Sequence, residues 1–247
     1  MSRYARPTSG ISYSFGPGPM SPAVKWIIVA NIGAFLLTLV YPPILELLGL
    51  SPQDVLERGW LWQPATYMFM HAGMFHILFN MLGIWMFGVE LERRWGTQFF
   101  VQYYAVTGLG AAATVILVGL LPFDATASTY VATTVGASGA LYGLLMAYAI
   151  YYPDRPILLM MIFPVPAKYF VMIIGAIAFL SGPGGGVSNA AHLGGLLFGY
   201  LYLRGGRGGG GLTAEIKYRY LKWKMNRLRR KFDVYSGGKS DYDRKIH

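Results

Sequence analysis

Cysteine is absent from the 247-residue chain, so neither a disulfide framework nor a thiolate metal site is available. Charge is scarce: 13% of residues are charged against 54% hydrophobic, whereas a soluble domain carries about 25% charged residues. With a mean hydropathy of +0.41, this shortage predicts residence in a membrane. Also missing is any His-Glu-x-x-His run, which removes the helix-borne zinc peptidase arrangement. No aspartate falls within the apolar segments, which removes a paired-aspartate mechanism. Lys25 and Lys168 are wrongly placed to serve as base to a serine. No inverted repeat of broken helices suggests a transporter.

The net charge of +10 raises the question of nucleic acid, but its distribution answers against it. Residues 204–247 hold 13 Lys/Arg and 4 Asp/Glu, or +9; the other 203 residues hold 8 and 7, or +1. The basicity belongs to one tail on a nearly neutral apolar body. That tail opens on Gly205, Gly206 and a glycine run from Gly208 to Gly211, a flexible linker. Tyr218, Leu221, Met225, Leu228 and Phe232 then follow at helical spacing. Docking to anionic headgroups is one reading of this basic helix; a solvated tail that only enforces orientation is the other.

Six apolar segments have the character of spanning helices: roughly 24–41, 71–88, 99–121, 136–152, 167–180 and 188–203. The last three are shorter than the ~20 residues of a simple span. A start for the fifth upstream at Ile157 is broken by Pro164 and Pro166. The fold predicted is an all-α polytopic membrane protein, a bundle of six transmembrane helices. Residues 1–23 are expected to be a short disordered terminus; Pro7, Gly10, Gly16, Pro17, Gly18 and Pro19 interrupt any signal-like apolar run, so the first segment reads as an uncleaved span. Residues 24–203 form the membrane domain and 204–247 the linker and tail. With both termini on one side, that side carries Arg3, Arg6, Lys25, Arg93, Arg94, Arg155, Lys168 and the tail, and the other only Arg58; both termini are therefore expected in the cytoplasm. The outer loop 42–69, with Trp60 and Trp62, suits the membrane–water boundary.

Polar groups inside spans are costly and invite a functional reading. The second, fourth and sixth segments run inward from the outer face, so their N-terminal ends share one depth. Ser138 stands at the start of the fourth and His192 near the start of the sixth. Gly139, Gly143 and Ala147 form one stripe of small residues, and Ala191, Gly195 and Gly199 another; such stripes permit close helix approach. If they face each other, His192 can take the Ser138 proton and return it to a leaving amine. Tyr142, one turn below Ser138, can present its ring to the imidazole. His76 and Asn80, four apart on one helix face, can donate to a developing oxyanion with the Ser138 backbone N–H. His71 is less well placed and reads as structural. Each residue alone has a plainer reading: packing for the serine, a structural hydrogen bond or proton relay for the histidine, interhelical glue for Asn80. Their combination at one depth favours chemistry.

At these residues the sequence resembles the rhomboid family of intramembrane serine proteases. The run from Gly136 through Ser138 and Gly139 to Tyr142 and Gly143 looks like the family's nucleophile motif. His71 to Asn80 looks like its second-helix motif, Ala190 to Gly195 like its histidine motif, and Glu92-Arg93-Arg94-Trp95-Gly96 like the turn after its second helix. The resemblance spans roughly 24–203 and implies a Ser138–His192 dyad, an oxyanion site of His76, Asn80 and Ser138, no metal and no cofactor. It implies substrates that are transmembrane helices cut near the outer face, with the fifth helix and the Gly-rich loop 181–187 as gate and cap; the orientation, with no transit segment in view, leads us to expect a bacterial-type plasma membrane with the site toward its extracytoplasmic face. A catalytically silent rhomboid-like protein that binds membrane helices is the competing expectation.

Overall fold

A computed structural model describes residues 16–159, 163–181, 188–205, 221–225 and 227. The chain divides into two compact units, Met1–Leu201 and Tyr202–His247. In the second, residues 221–225 are helical; the rest of the expected basic helix, the glycine run and residues 182–187 of the expected cap lie outside the described residues.

Helices occupy all six predicted segments: α1 (Pro22–Val40), α5 (Met74–Gly83) continuing through a π-turn (Ile84–Gly88) into α6 (Val89–Trp95), α7 (Thr97–Gly119), α9 (Ser138–Tyr151), α10 (Ala167–Leu180) and α11 (Ser188–Arg204). Among the described residues three helices are long and apolar enough to cross a bilayer: Pro22–Val40, Met74–Trp95 and Thr97–Gly119. The second span thus runs seven residues past the predicted end at 88 and begins at Met74, which leaves His71 in the extended turn ahead of it.

Two regions predicted as loops are ordered by hydrogen bonds. The outer loop folds into α2 (Ile44–Leu48), α3 (Pro52–Glu57), α4 (Gln63–Thr66) and a 3-10 turn (Tyr67–Phe69). Buried Gln63 holds it together: Oε1 accepts from the Ser51 N–H at 3.0 Å and Nε2 donates to the Glu46 carbonyl at 3.2 Å. The loop before α9 contains α8 (Asp124–Val131), and Leu50 and Thr134 exchange backbone hydrogen bonds of 2.8 and 2.7 Å that tie it to the outer loop. The all-α expectation needs one correction. Residues β1 (Pro156–Leu159) and β2 (Phe163–Pro166) form an antiparallel hairpin between α9 and α10. Prolines at 164 and 166 do stop a helix from starting at Ile157, but what replaces it is a strand pair rather than a loop, since proline is tolerated on an edge strand.

Glu92 anchors the start of the bundle. Its Oε1 accepts from the Ala23 N–H at 3.0 Å and the Thr97 hydroxyl at 2.7 Å, and its Oε2 from the Val24 N–H at 3.1 Å and the Ser21 hydroxyl. Ala23 and Val24 lie in the first turn of α1, whose N–H groups have no partner inside the helix. A carboxylate from another helix therefore caps α1, where negative charge also suits the helix dipole. Arg93 fixes the approach chain by donating to the Pro17 and Pro19 carbonyls at 2.6 and 2.8 Å.

Candidate active site

The site is built by α9 packing backbone to backbone on its neighbours. A Cβ added at Gly195 would lie 1.9 Å from the Gly139 carbonyl oxygen, and one at Gly199 would lie 3.1 Å from the Gly143 Cα. The two small-residue stripes therefore face each other. On another side of α9 a Cβ at Gly143 would meet Thr107 Cβ at 2.5 Å, and one at Gly139 would meet Ala111 Cβ at 2.6 Å. Tyr103 donates its hydroxyl proton to the Gly143 carbonyl at 2.7 Å. With α7, α9 and α11 this close, His192, three residues before Gly195, sits beside Ser138, one residue before Gly139.

His192 Nε2 stands 2.9 Å from Ser138 Oγ. A neutral ring protonated at Nδ1 accepts the serine proton in this geometry. The Tyr142 ring lies flat on the imidazole, with centroids 4.0 Å apart and planes 1° from parallel. The stack leaves the ring little freedom to turn away from Oγ.

The turn into α9 places the next pair. Gly136 has φ +120°, a conformation that disfavours any residue with a Cβ, and its N–H donates to the Tyr67 carbonyl at 3.0 Å. A Cβ there would meet His76 Nε2 at 2.6 Å. The His76 ring thus rests on the backbone just ahead of Ser138, and Gly136 is required twice over. Asn80 is buried one turn along α5, and its Nδ2 donates to the His76 carbonyl at 2.8 Å. One of its two N–H groups is therefore used within its own helix, a restriction that spacing alone does not reveal, and Oδ1 has no partner among the described residues. His71 is fully buried, its ring 5.0 Å from that of His76 and edge-on to it. Gly139 contributes by its lack of a side chain, with Tyr67 Oη 3.0 Å from where its Cβ would be. Gly136, Ser138, Gly139, Tyr142, His192 and His76 thus meet around the N-terminus of α9, with His71 and Asn80 beside His76. The sequence reading missed Tyr67, which supports the turn through its carbonyl and donates its hydroxyl to Gly108 at 2.8 Å; an aromatic in an outer loop gave no signal of this. Among the described residues no group of three or more His, Cys, Asp or Glu side chains can hold a metal ion.

A helical membrane protein with a serine and a histidine in hydrogen-bond contact at a helix N-terminus defines a narrow class. Residues 58–206 match the rhomboid domain, and the chain belongs to the rhomboid family. It is 33% identical over 138 residues to "Rhomboid protein 1, mitochondrial" of Saccharomyces cerevisiae, covering 54% of this chain and 38% of that protein. It is 30% identical over 166 residues to "RHOMBOID-like protein 5" of Arabidopsis thaliana, covering 64% and 48%. It is 26% identical over 193 residues to "Rhomboid protease AarA" of Providencia stuartii, covering 71% and 69%. The matched region thus covers less than half the length of these two yeast and plant relatives. The family includes serine proteases and is embedded in membranes.

Proposed function

We propose that the protein is an intramembrane serine endopeptidase that hydrolyses peptide bonds in or near the transmembrane helices of other membrane proteins. The observation that carries this reading is the 2.9 Å contact between Ser138 Oγ and His192 Nε2 under the flat Tyr142 ring. As Oγ attacks the scissile carbonyl, His192 Nε2 takes its proton. The oxyanion of the tetrahedral intermediate accepts from the Ser138 N–H, the second Asn80 N–H and His76. Collapse breaks the C–N bond, and His192 protonates the departing amine. Water then attacks the acyl-serine, with His192 again as base, and releases the carboxylate product. His71 and Gly136 serve His76 by packing, and Gly139 serves the helix contact.

The same reading takes the six helices as spans with both termini in the cytoplasm, so that Ser138 lies toward the extracytoplasmic face of a plasma membrane. Residues 24–203 are the membrane domain, 1–23 a short N-terminal segment, and 204–247 a tail suited by its charge to anionic lipid. Substrate helices are expected to carry helix-weakening residues near that face, since a peptide bond in an intact helix is shielded. The test is cleavage of a fluorescent transmembrane substrate in vesicles by the wild type, Ser138→Ala and His192→Ala. Loss of cleavage in both variants is expected, as is wild-type labelling by a fluorophosphonate. Cleavage by Ser138→Ala would overturn the mechanism; a wild type that neither cleaves nor labels would instead be a silent binder of membrane helices.

A further inference from the structure

The hairpin that replaces the expected loop has a composition that its position explains. Neither strand, Pro156–Leu159 or Phe163–Pro166, carries a charged or hydrogen-bonding side chain. Its base is fastened to the bundle. Ile157 is buried in a cluster with Phe87, Tyr148, Val171 and Leu196. The Ala167 and Lys168 N–H groups donate to the Arg155 and Pro153 carbonyls at 2.9 and 3.0 Å. Beyond the base the strands emerge from the protein: Leu158 is 48% and Phe163 60% exposed. The register pairs Leu158 with Pro164 and Leu159 with Phe163, so Leu158 and Phe163 lie on opposite faces. Both faces of the outer part of the hairpin are apolar and uncovered by the described chain.

The backbone is suited to the same surroundings. The Ala167 to Arg155 bond sets the parity of the ladder, so the inward-facing donors of β2 are at 163 and 165. The outward-facing positions are 164 and 166, and both are proline. The free edge of β2 therefore presents no N–H group. Unpaired donors are what make an edge costly in lipid and ready to accept another strand; on β2 they are removed, and on β1 the same parity turns outward only the Leu158 N–H, since Pro156 has none. The nearby charges are also engaged at the base, Arg155 with Glu90 and Lys168 with Asp154 at 2.7 Å.

Helix length places the hairpin. The 14 residues of α9 span about 21 Å at ~1.5 Å per residue, short of the ~30 Å hydrocarbon layer. With Ser138 below one surface, the other end of α9 falls at or inside the opposite boundary, and α10, also 14 residues, starts from the same level. We propose that the β1–β2 hairpin is a membrane-inserted anchor that buries Leu158 and Phe163 among the acyl chains of the leaflet opposite the Ser138 end. The inference rests on the membrane placement proposed above. Lipid is favoured over a protein partner because the exposed strands offer no polar group to orient one and the β2 edge offers no donor for strand addition.

The absence of native cysteine makes the test direct. Single variants Leu158→Cys and Phe163→Cys carry an environment-sensitive fluorophore in the full chain, reconstituted in vesicles of zwitterionic and anionic phospholipid formed with iodide inside and out. Leu37→Cys on the exposed face of α1 and Asp124→Cys at the start of α8 serve as references. Both hairpin probes are expected to emit to the blue of the Asp124 probe, to be quenched by lipid bearing a nitroxide high on its acyl chain, and to resist iodide several-fold better. Quenching of the Leu37 probe by nitroxide lipid with none at 158 and 163 overturns the hairpin proposal while leaving the membrane placement standing. No lipid quenching at Leu37 overturns the placement and the hairpin with it. Probes at 158 and 163 that quench one another as protein density rises, without response to nitroxide lipid, would show a second copy on this surface and overturn the proposal.

Discussion

Glu92 and Asn80, toward opposite ends of α5–α6, treat their polar atoms in opposite ways. At the far end, Glu92 is 3% exposed and both its oxygens are filled by two donors each. Nearer Ser138, buried Asn80 has an Oδ1 with no partner among the described residues. Polar groups in an apolar interior ordinarily find partners because an unmade bond costs about 1–3 kcal/mol. Saturated Glu92 therefore reads as structural, and Asn80, with capacity unspent, as prepared for something that arrives later. The contrast separates the two ends by what each should lose on mutation: activity near Ser138, stability near Glu92.

The sharpest test of this division is Ser138→Ala. Cleavage of a reconstituted substrate is expected to fall by about 10^4-fold or more, with fluorophosphonate labelling abolished. The unfolding midpoint in detergent should move by the equivalent of no more than about 0.5 kcal/mol, as for a substitution at a partly exposed position that removes no buried packing. A large loss of stability would place Ser138 among the structural groups and break the comparison.

Gly195→Ala should cross the boundary. The added Cβ meets the Gly139 carbonyl oxygen at 1.9 Å, and a backbone atom cannot rotate aside. Helices α9 and α11 must part, costing about 1–3 kcal/mol by overpacking. The same separation pulls His192 from Ser138, and a shift of about 1 Å at a reacting pair lowers turnover by on the order of 10^2-fold. Both losses in one variant would tie the site's geometry to the stripes; intact cleavage would detach them.

Why these residues were legible and others were not follows from how far each signal reaches. The spans were visible because hydrophobicity in lipid is a local property of about 20 residues; helix α10 begins and ends where the residues alone put it. Ser138, His192, His76 and Asn80 were visible because orientation fixes depth, and depth groups residues distant in sequence. What escaped depended on partners that no local pattern names. Glu92 looked like a residue at the end of a helix, and its four donors lie both before and after it in the chain. Gln63 looked like a loop residue, though it is buried between two turns of the outer loop. The hairpin escaped because a short apolar run with prolines fits a loop as readily as a strand, and only pairing decides. The engaged N–H of Asn80 escaped because spacing places a side chain without saying what it already holds.

Asn80→Ala tests how much that engaged N–H matters. Removing one oxyanion donor commonly costs 10^2- to 10^3-fold. Because one Asn80 N–H is already given to the His76 carbonyl, we expect the lower end, about 10^2-fold, in kcat with KM little changed. A raised KM with kcat unchanged would assign Asn80 to substrate binding instead.

The smallest effect, and the one that examines the other end of the comparison, is Glu92→Gln. The amide keeps one acceptor oxygen and replaces the other with an NH2 group. If the oxygen stays with Ala23 and Thr97, the Val24 N–H faces a donor instead of an acceptor, while the Ser21 hydroxyl can turn to accept. One orphaned N–H in the first turn of α1 should cost about 1–3 kcal/mol, read as a lowered midpoint in thermal or denaturing-detergent unfolding. Cleavage per folded molecule should remain within about twofold of wild type, since Glu92 lies more than two helical turns along the continuous helix from Asn80, about 18 Å at ~1.5 Å per residue. If turnover instead fell a hundredfold with the midpoint unchanged, the saturated carboxylate would be transmitting to the site rather than closing a helix, and saturation could no longer be read as the mark of a purely structural group.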